Sequence, residues 1–355
     1  MDNRLCRALQ INFPLIQAPM AGVSTPELAA AVSNAGALGS VSVGASNPAQ
    51  ASAMLTRLCE LTTAPFNVNL FCHTPPARNA ECENSWIERF RPLFAQYGAQ
   101  PPASLTEIYP TFNADSPMLD VILDAMPAAV SFHFGLPEPR VLDRLKSRGI
   151  ATLASATSVE EARLIAQAGV DFIVAQGIEA GGHRGMFDPE KADAQMSTLA
   201  LVQAILSDSD HPVIAAGGIM DGKGIAAMIK LGVTGVQMGT AFILCPESAA
   251  NAAWRAALKS DAAAHTELTA AISGRPARSI RNAFCDVTRG ISAKAIPAYP
   301  LTYALGKALN AAAAAQGEHG FGAQWAGQGA MLARELPAGQ LVQTLKAEYQ
   351  AALSA

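Results

Sequence analysis

Charge is scarce in this chain of 355 residues: Asp, Glu, Lys and Arg together make up 15% of it, and the formal net charge is −4. There is no basic run and no basic amphipathic segment, which removes the electrostatic footprint of a nucleic-acid or membrane-surface binder. Long apolar runs are missing as well. None reaches the roughly 18 residues a membrane-crossing helix needs, and Met1 to Gln10 is too polar for a secretory core. The six cysteines, Cys6, Cys59, Cys72, Cys82, Cys245 and Cys285, are scattered without CxxC spacing. That fits reduced thiols in the cytoplasm better than a disulfide framework or a zinc site. No dinucleotide GxGxxG follows the first apolar run. What the chain has in quantity is core. Half of its residues are hydrophobic, enough for one large barrel or two ordinary domains.

That apolar content is distributed in a pattern. Short apolar runs begin near Pro14, Gly36, Phe66, Ala128, Ala151, Asp171, Pro212 and Gly235, each followed by a helical pattern. Most intervals are about 20 to 30 residues, the length of one βα unit. Eight such units predict an α/β fold of the (β/α)8 TIM-barrel type. Two longer intervals, Phe71 to Ala128 and Gly177 to Pro212, are expected to be insertions after a strand, where a barrel carries its functional loops. Thr25-Pro26-Glu27 should open a helix, with Thr25 as its cap. Ser158 should open another, with Glu161 in capping-box position. From Pro246 to Gly329 the alternation lapses into an Ala-rich, mostly helical stretch containing the loop Ser273-Gly274-Arg275-Pro276-Ala277-Arg278. The expected division is therefore a barrel over residues 1–245, completed by about 335–355, with residues 246–334 as a small helical substrate-side domain. Leu341, Leu345 and Tyr349 share one helical face and should return to the barrel.

The stretch Val174 to Gly185, VAQGIEAGGHRG, is where chemistry concentrates. A buried strand ends in a loop whose glycines, Gly181 and Gly182 among them, let the backbone approach a planar or anionic ligand. Gln176 supplies an amide, and His183 is the one side chain there that exchanges a proton near neutral pH. Gly217 and Gly218 end the seventh strand, and Gln237, Met238, Gly239 and Thr240 end the eighth. Paired loops with free N–H groups at those two places are the phosphate grip of this barrel type. Gln17-Ala18-Pro19-Met20 ends the first strand and Asn69 lies in the third. Amides beside apolar residues suit a ring with both donors and acceptors, such as a flavin. Asn69 and Phe71 are set on opposite faces of that strand. His133, in SFHFG, ends the fourth strand on the same barrel face as His183, an acid/base or anion-binding pair. Neither has ligands at metal spacing, so no metal is expected. Tyr299, Tyr303 and Lys307 are spaced by four, with Pro300 suited to the first turn of their helix. Two hydroxyls and an ammonium together can recognise a carboxylate or a nitronate.

Taken with QAPM, IAAGGI, QMGTAF, SGRPAR, YPLTYALGKAL and WAGQG at Trp325 to Gly329, these motifs resemble the class I nitronate monooxygenases, formerly called 2-nitropropane dioxygenases, over nearly the whole chain. The resemblance implies an FMN-containing barrel with a small helical domain, acting with dioxygen on alkyl nitronates, notably propionate 3-nitronate, and releasing a carbonyl product and nitrite. It implies FMN contacts at Asn69, Gln176, Gly181, Gly218 and Gln237 through Thr240, a catalytic base at His183, and detoxification in the cytoplasm. Small molecules, a nitronate and O2, are the expected partners, with neither nucleic acid nor membrane. Oligomeric state and the role of Gln328 stay open. Three other readings share the same motifs: a related FMN-dependent NAD(P)H:quinone or enoyl-thioester reductase, a non-redox phosphate-binding barrel, and a flavin-storage or sensing protein.

Overall fold

The computed structural model describes residues 3–354, so Met1 and Asp2 of the N-terminal stretch, and Ala355, lie outside it. The strands in chain order are β1 (Leu15–Gln17), β2 (Gly39–Ser42), β3 (Phe66–Phe71), β4 (Ala129–His133), β5 (Ala151–Ala156), β6 (Phe172–Gln176), β7 (Gly182–His183), β8 (Val213–Ala216) and β9 (Gly235–Met238). All but β7 form one parallel sheet in the order β1-β9-β8-β6-β5-β4-β3-β2. A bridge between Ile16 and Leu38 brings β1 onto β2, and the sheet curls into a barrel. The eight predicted strands are these eight.

Alternation along each strand sorts residues between two surfaces. Leu15, Val41, Val68, Val130, Ile173 and Val236 point outward and pack under the surrounding helices. Ile16, Leu38, Ala129, Leu153, Phe172, Val174 and Ile214 point inward. Leu5 and Leu9, from the short helix Arg4–Leu9, plug the amino-terminal end of this inner layer. One layer nearer the carboxyl ends, the inward positions turn polar: Asn69, Ser131, His133, Ser155, Gln176 and Gln237 all line the open end. A barrel interior that is apolar below and polar at the carboxyl ends places its chemistry at that mouth.

The helices follow their signals, with two corrections. Thr25 Oγ1 accepts from Leu28 N at 3.0 Å and opens the helix Pro26–Asn34. Ser158 opens Val159–Gln167 in the same way. Glu161, however, does not complete a capping box on Ser158. Its carboxylate accepts from the N–H and hydroxyl of Thr157 and, at 2.8 Å, from Phe187 N, tying down the loop after β7. Pro300 is the cap of Leu301–Ala314 and not a residue of its first turn; the Tyr299–Pro300 peptide bond is cis. The last helix, Ala338–Ser354, buries Leu341, Leu345 and Tyr349 against the helix Gly222–Leu231, at a crossing so close that a Cβ on Gly222 would lie 2.3 Å from Tyr349 N.

Residues 246–334 carry, besides helices, two strands that periodicity did not suggest, β10 (Thr266–Thr269) and β11 (Ala277–Ile280). These join β7 in an antiparallel sheet, with Ala277 opposite His183 and Arg278 opposite Gly182. The insertion after β3 meets the same region. Trp86, Phe90 and Phe94, on the helix Ala80–Gln96, share a second apolar core with Ile272, Phe284, Leu305 and Leu309. Two segments far apart in sequence thus make one cover over the barrel mouth.

Candidate active site

Beneath that cover lies a cavity of about 770 Å³. Of the residues singled out from sequence, these line it: Ala18, Pro19, Met20, Asn69, His133, Gln176, Gly181, Gly182, His183, Gly217, Gly218, Gln237, Met238, Gly239, Thr240, Tyr299, Tyr303 and Lys307. Phe71 lines it beside Asn69. The two do not occupy opposite faces, because residues two apart in a strand project the same way. Gln17 stays out of the cavity. Fully buried, it spends its amide on Ser24 Oγ, the Ala18 carbonyl and Ser40 N.

His183 sits at the centre. Its carbonyl accepts two hydrogen bonds, from Gln176 Nε2 at 2.9 Å and from His133 Nε2 at 3.3 Å. Its ring Nε2 is 2.9 Å from Ser273 Oγ. The rings of Phe134, Tyr299 and Trp325 surround it at centroid distances of 5.6, 5.4 and 5.1 Å. Burial, and then the positive charge of His133, Arg275 and His73, push its pKa down to about 3, so the imidazole is neutral at working pH. His133 is likewise lowered to about 4, chiefly by burial. Both of its nitrogens are already engaged, with Nδ1 2.9 Å from Ser155 Oγ. Gln176 has both polar atoms engaged too, because its Oε1 accepts from Gly185 N at 2.7 Å. His133 and Gln176 therefore hold the His183 main chain.

Other residues around the mouth have no site role assigned from sequence. Arg275 is buried, donates to the carbonyls of Met186 and Phe187, and lies 4.5 Å over the Phe134 ring. No carboxylate pairs with it among the described residues. Burial, the largest effect, lowers its pKa to about 10, while Asp188 and Glu161 act on it from beyond ion-pair distance in the raising direction. Phe134 places its ring there through a left-handed backbone, φ +72°, unusual for a bulky residue. Tyr109, from the insertion after β3, approaches Lys307 Nζ with its hydroxyl, and that ammonium lies 4.9 and 5.6 Å over the rings of Tyr109 and Tyr303. Lys307 is exposed at the mouth, whereas burial raises the phenols of Tyr299 and Tyr303 far above their ordinary range.

Across the cavity, Gly217 and Gly218 adopt φ of +124° and +69°. The main-chain N–H groups of Gly218, Ile219, Gly239 and Thr240 donate to no protein acceptor among the described residues. Thr240 Oγ1 instead accepts from Gly327 N, drawing the WAGQG loop onto the rim. Such a cluster of unpaired N–H groups, with no carboxylate lining it, suits a phosphate. Gly181 answers a different need: a Cβ there would lie 2.5 Å from Gly327 N. Gln328 is exposed and contributes its main-chain N–H to Glu179 O.

Fold and mouth together define a (β/α)8-barrel enzyme with its cavity at the carboxyl ends of the strands. The sequence profile of the nitronate monooxygenase family matches residues 2–348, and the chain belongs to that family of oxidoreductases. A nitronate monooxygenase of Pseudomonas aeruginosa is 52% identical over 350 residues, covering 99% of this chain and 100% of the relative. Another from Paraburkholderia phytofirmans is 53% identical over 342 residues, 96% and 93% of the two chains. Among solved structures, a nitroalkane oxidase from Streptomyces ansochromogenes superimposes with a TM-score of 0.90 at 39% identity, covering 99% of both chains. FabK from Thermotoga maritima gives 0.75 at 27% identity, covering 100% of this chain and 98% of that one. No helix among the described residues is long and apolar enough to cross a membrane.

Proposed function

We propose that this protein is a class I, FMN-dependent nitronate monooxygenase that oxidises alkyl nitronates such as propionate 3-nitronate with dioxygen, a detoxifying activity of the cytoplasm. The observation that carries this is the pairing of a neutral, immobilised His183 with a cradle of unpaired N–H groups on the opposite wall. The cradle fits the phosphate of FMN: positive φ at Gly217 and Gly218 turns main-chain donors into the cavity, and no acidic side chain opposes them. Gly218, Ile219, Gly239 and Thr240 would hold the phosphate, with Ala18 to Met20, Asn69, Gln237 and Met238 lining the space for the ring. When bound, FMN would supply one-electron chemistry between the nitronate and dioxygen. Residues 1–245 with 335–355 form the cofactor-side barrel in this reading, and 246–334, joined by the insertion after β3, the substrate-side cover.

The chain's own part is to bind and orient an anion. Tyr299, Tyr303 and Lys307 offer hydroxyls and an ammonium, and the buried Arg275, in no direct ion pair among the described residues, adds positive charge beside them. As a base, His183 is fully unprotonated above about pH 4 but weak. A preformed nitronate, which has already lost its α-proton, suits such a site better than a neutral nitroalkane. The likeness to FabK favours a second reading, an FMN reductase fed by NAD(P)H.

Three measurements decide. Purified protein should be yellow with noncovalent FMN and should consume oxygen when given propionate 3-nitronate. NADH alone, without oxygen, should bleach the flavin slowly or not at all; rapid bleaching would move the protein to the reductases. His183→Asn should lose turnover of neutral nitroalkanes by roughly 10² to 10⁴-fold and keep a reduced rate with preformed nitronates and its flavin. Equal fractional losses on both substrate forms would remove His183 as a base.

A further inference from the structure

Ser273 meets His183 on the side away from the cavity. It is fully buried, in the loop leading to β11, and its Oγ lies 2.9 Å from His183 Nε2. A hydroxyl has one proton to donate and two lone pairs with which to accept. Its other partners decide where that proton goes. Arg275 N donates to Ser273 Oγ at 3.4 Å, and Ser273 Oγ donates to the Arg275 carbonyl at 3.2 Å. That carbonyl has no other donor among the described residues, and Arg275 is buried. Withdrawing the hydroxyl proton would leave it unsatisfied. With the proton so placed, Ser273 Oγ can only accept from the ring, and His183 Nε2 must carry hydrogen.

The second ring nitrogen, Nδ1, makes no hydrogen bond among the described residues. Nor is it walled in, since the buried ring nitrogens without partners among the described residues belong to His73, His211, Trp86 and Trp254. His183 lines the cavity, and its main chain is held by Gln176 and His133. We infer that Ser273 is a positioning residue that holds His183 as the Nε2–H tautomer and so presents the Nδ1 lone pair to the α-proton of a carbon acid. The inference rests on the nitronate reading for its substrate. In the step, the α-proton passes to Nδ1 and the C–H electron pair moves into the nitro group to form the nitronate. The resulting imidazolium keeps its Nε2–H on Ser273.

The test reads the tautomer directly, in the protein as purified and without substrate, by ¹⁵N NMR of protein labelled at histidine. His183→Asn identifies the signals by their loss. At pH 7 wild type should show Nδ1 as the unprotonated, pyridine-type nitrogen and Nε2 as the protonated one. In Ser273→Ala the two tautomers should mix, and kcat/KM for neutral nitroethane should fall about threefold to tenfold, the worth of one neutral hydrogen bond. The same variant should lose less with preformed ethyl nitronate, and Ser273→Thr, which keeps the hydroxyl, should restore the wild-type spectrum and ratio. A protonated Nδ1 in wild type would overturn the assignment. So would a Ser273→Ala protein with unchanged tautomer and unchanged substrate ratio. Because no turnover enters the NMR measurement, failure of the tautomer and failure of nitronate oxidation are told apart.

Discussion

Lys307 shows what one residue's surroundings add to its identity. Spacing alone set it on a stripe with Tyr303, and a lysine on a helix surface is as often merely solvated. In the fold its ammonium lies over two tyrosine rings at the cavity mouth, beside the Tyr109 hydroxyl. Its place at the exposed mouth suits it to catching the carboxylate end of a nitronate more than to assisting electron transfer. Replacing Lys307 with Met keeps the stem and removes the charge. A charge-assisted contact is worth roughly 1.5 to 3 kcal/mol, so KM for propionate 3-nitronate should rise about tenfold to a hundredfold with little change in kcat. Ethyl nitronate, which has no carboxylate, should be affected far less. Steady-state oxygen uptake with both substrates checks this, and equal effects would place Lys307 outside the substrate's reach. Tyr109, its partner, was illegible beforehand because it belongs to an insertion with no motif and meets Lys307 across 198 positions of sequence.

Among the elements, strands were legible wherever a period was long enough to repeat. β6 buries all five residues, and its inward Phe172, Val174 and Gln176 alternate with Ile173 and Ala175. β7 is two residues long, so no period exists to detect, and its partner β11 is recognisable only once the chain has folded back. The loops after β8 and β9 were legible through their glycines, and they carry a prediction of their own. At Gly218, φ is +69° and an added Cβ would lie 3.2 Å from Glu179 Cβ. Gly218→Glu therefore strains the backbone by about 1 to 2 kcal/mol and sets a carboxylate beside the N–H cradle. The variant should fold, as judged by circular dichroism, yet purify without flavin absorbance. Full flavin occupancy in it would remove the phosphate from this loop.

At the scale of the whole molecule, the cover over the barrel buries three histidines together, and stability should follow their titration. His183 is lowered to about 3, and His133 and His73 to about 4, with burial the first cause in each. His73 packs edge-on against Phe134 and Tyr299, and neither of its nitrogens makes a well-formed hydrogen bond among the described residues. A histidine whose folded pKa lies below its unfolded value of about 6.5 leaves the unfolded chain holding more protons between the two values. Stability is therefore complete above pH 6.5 and declines as pH falls toward 4, by up to about 1.4 kcal/mol per pH unit for each such group. Urea unfolding at pH 7.5 and 5.0 should show this loss, and His73→Phe should make it shallower without weakening the protein at pH 7.5. A pH dependence identical in wild type and variant would mean that His73 is not held neutral by the fold.

The sequence by itself determined the barrel, its eight strands, the end at which chemistry would gather and the residues to be found there. Each of those follows from local periodicity or from a glycine, histidine or amide placed where a strand stops. Only the tertiary structure decided what those residues are free to do. Gln17, Gln176 and His133 have all or nearly all of their polar atoms engaged by other parts of the chain, whereas His183 keeps one nitrogen open to the cavity. Hydrogen-bond satisfaction is settled by partners such as Ser155 and Ser273, the latter 90 positions from His183. The burial that keeps His183 neutral, with the nearby Arg275 guanidinium adding to it, likewise comes from segments brought to one point by the fold and by nothing local in the chain.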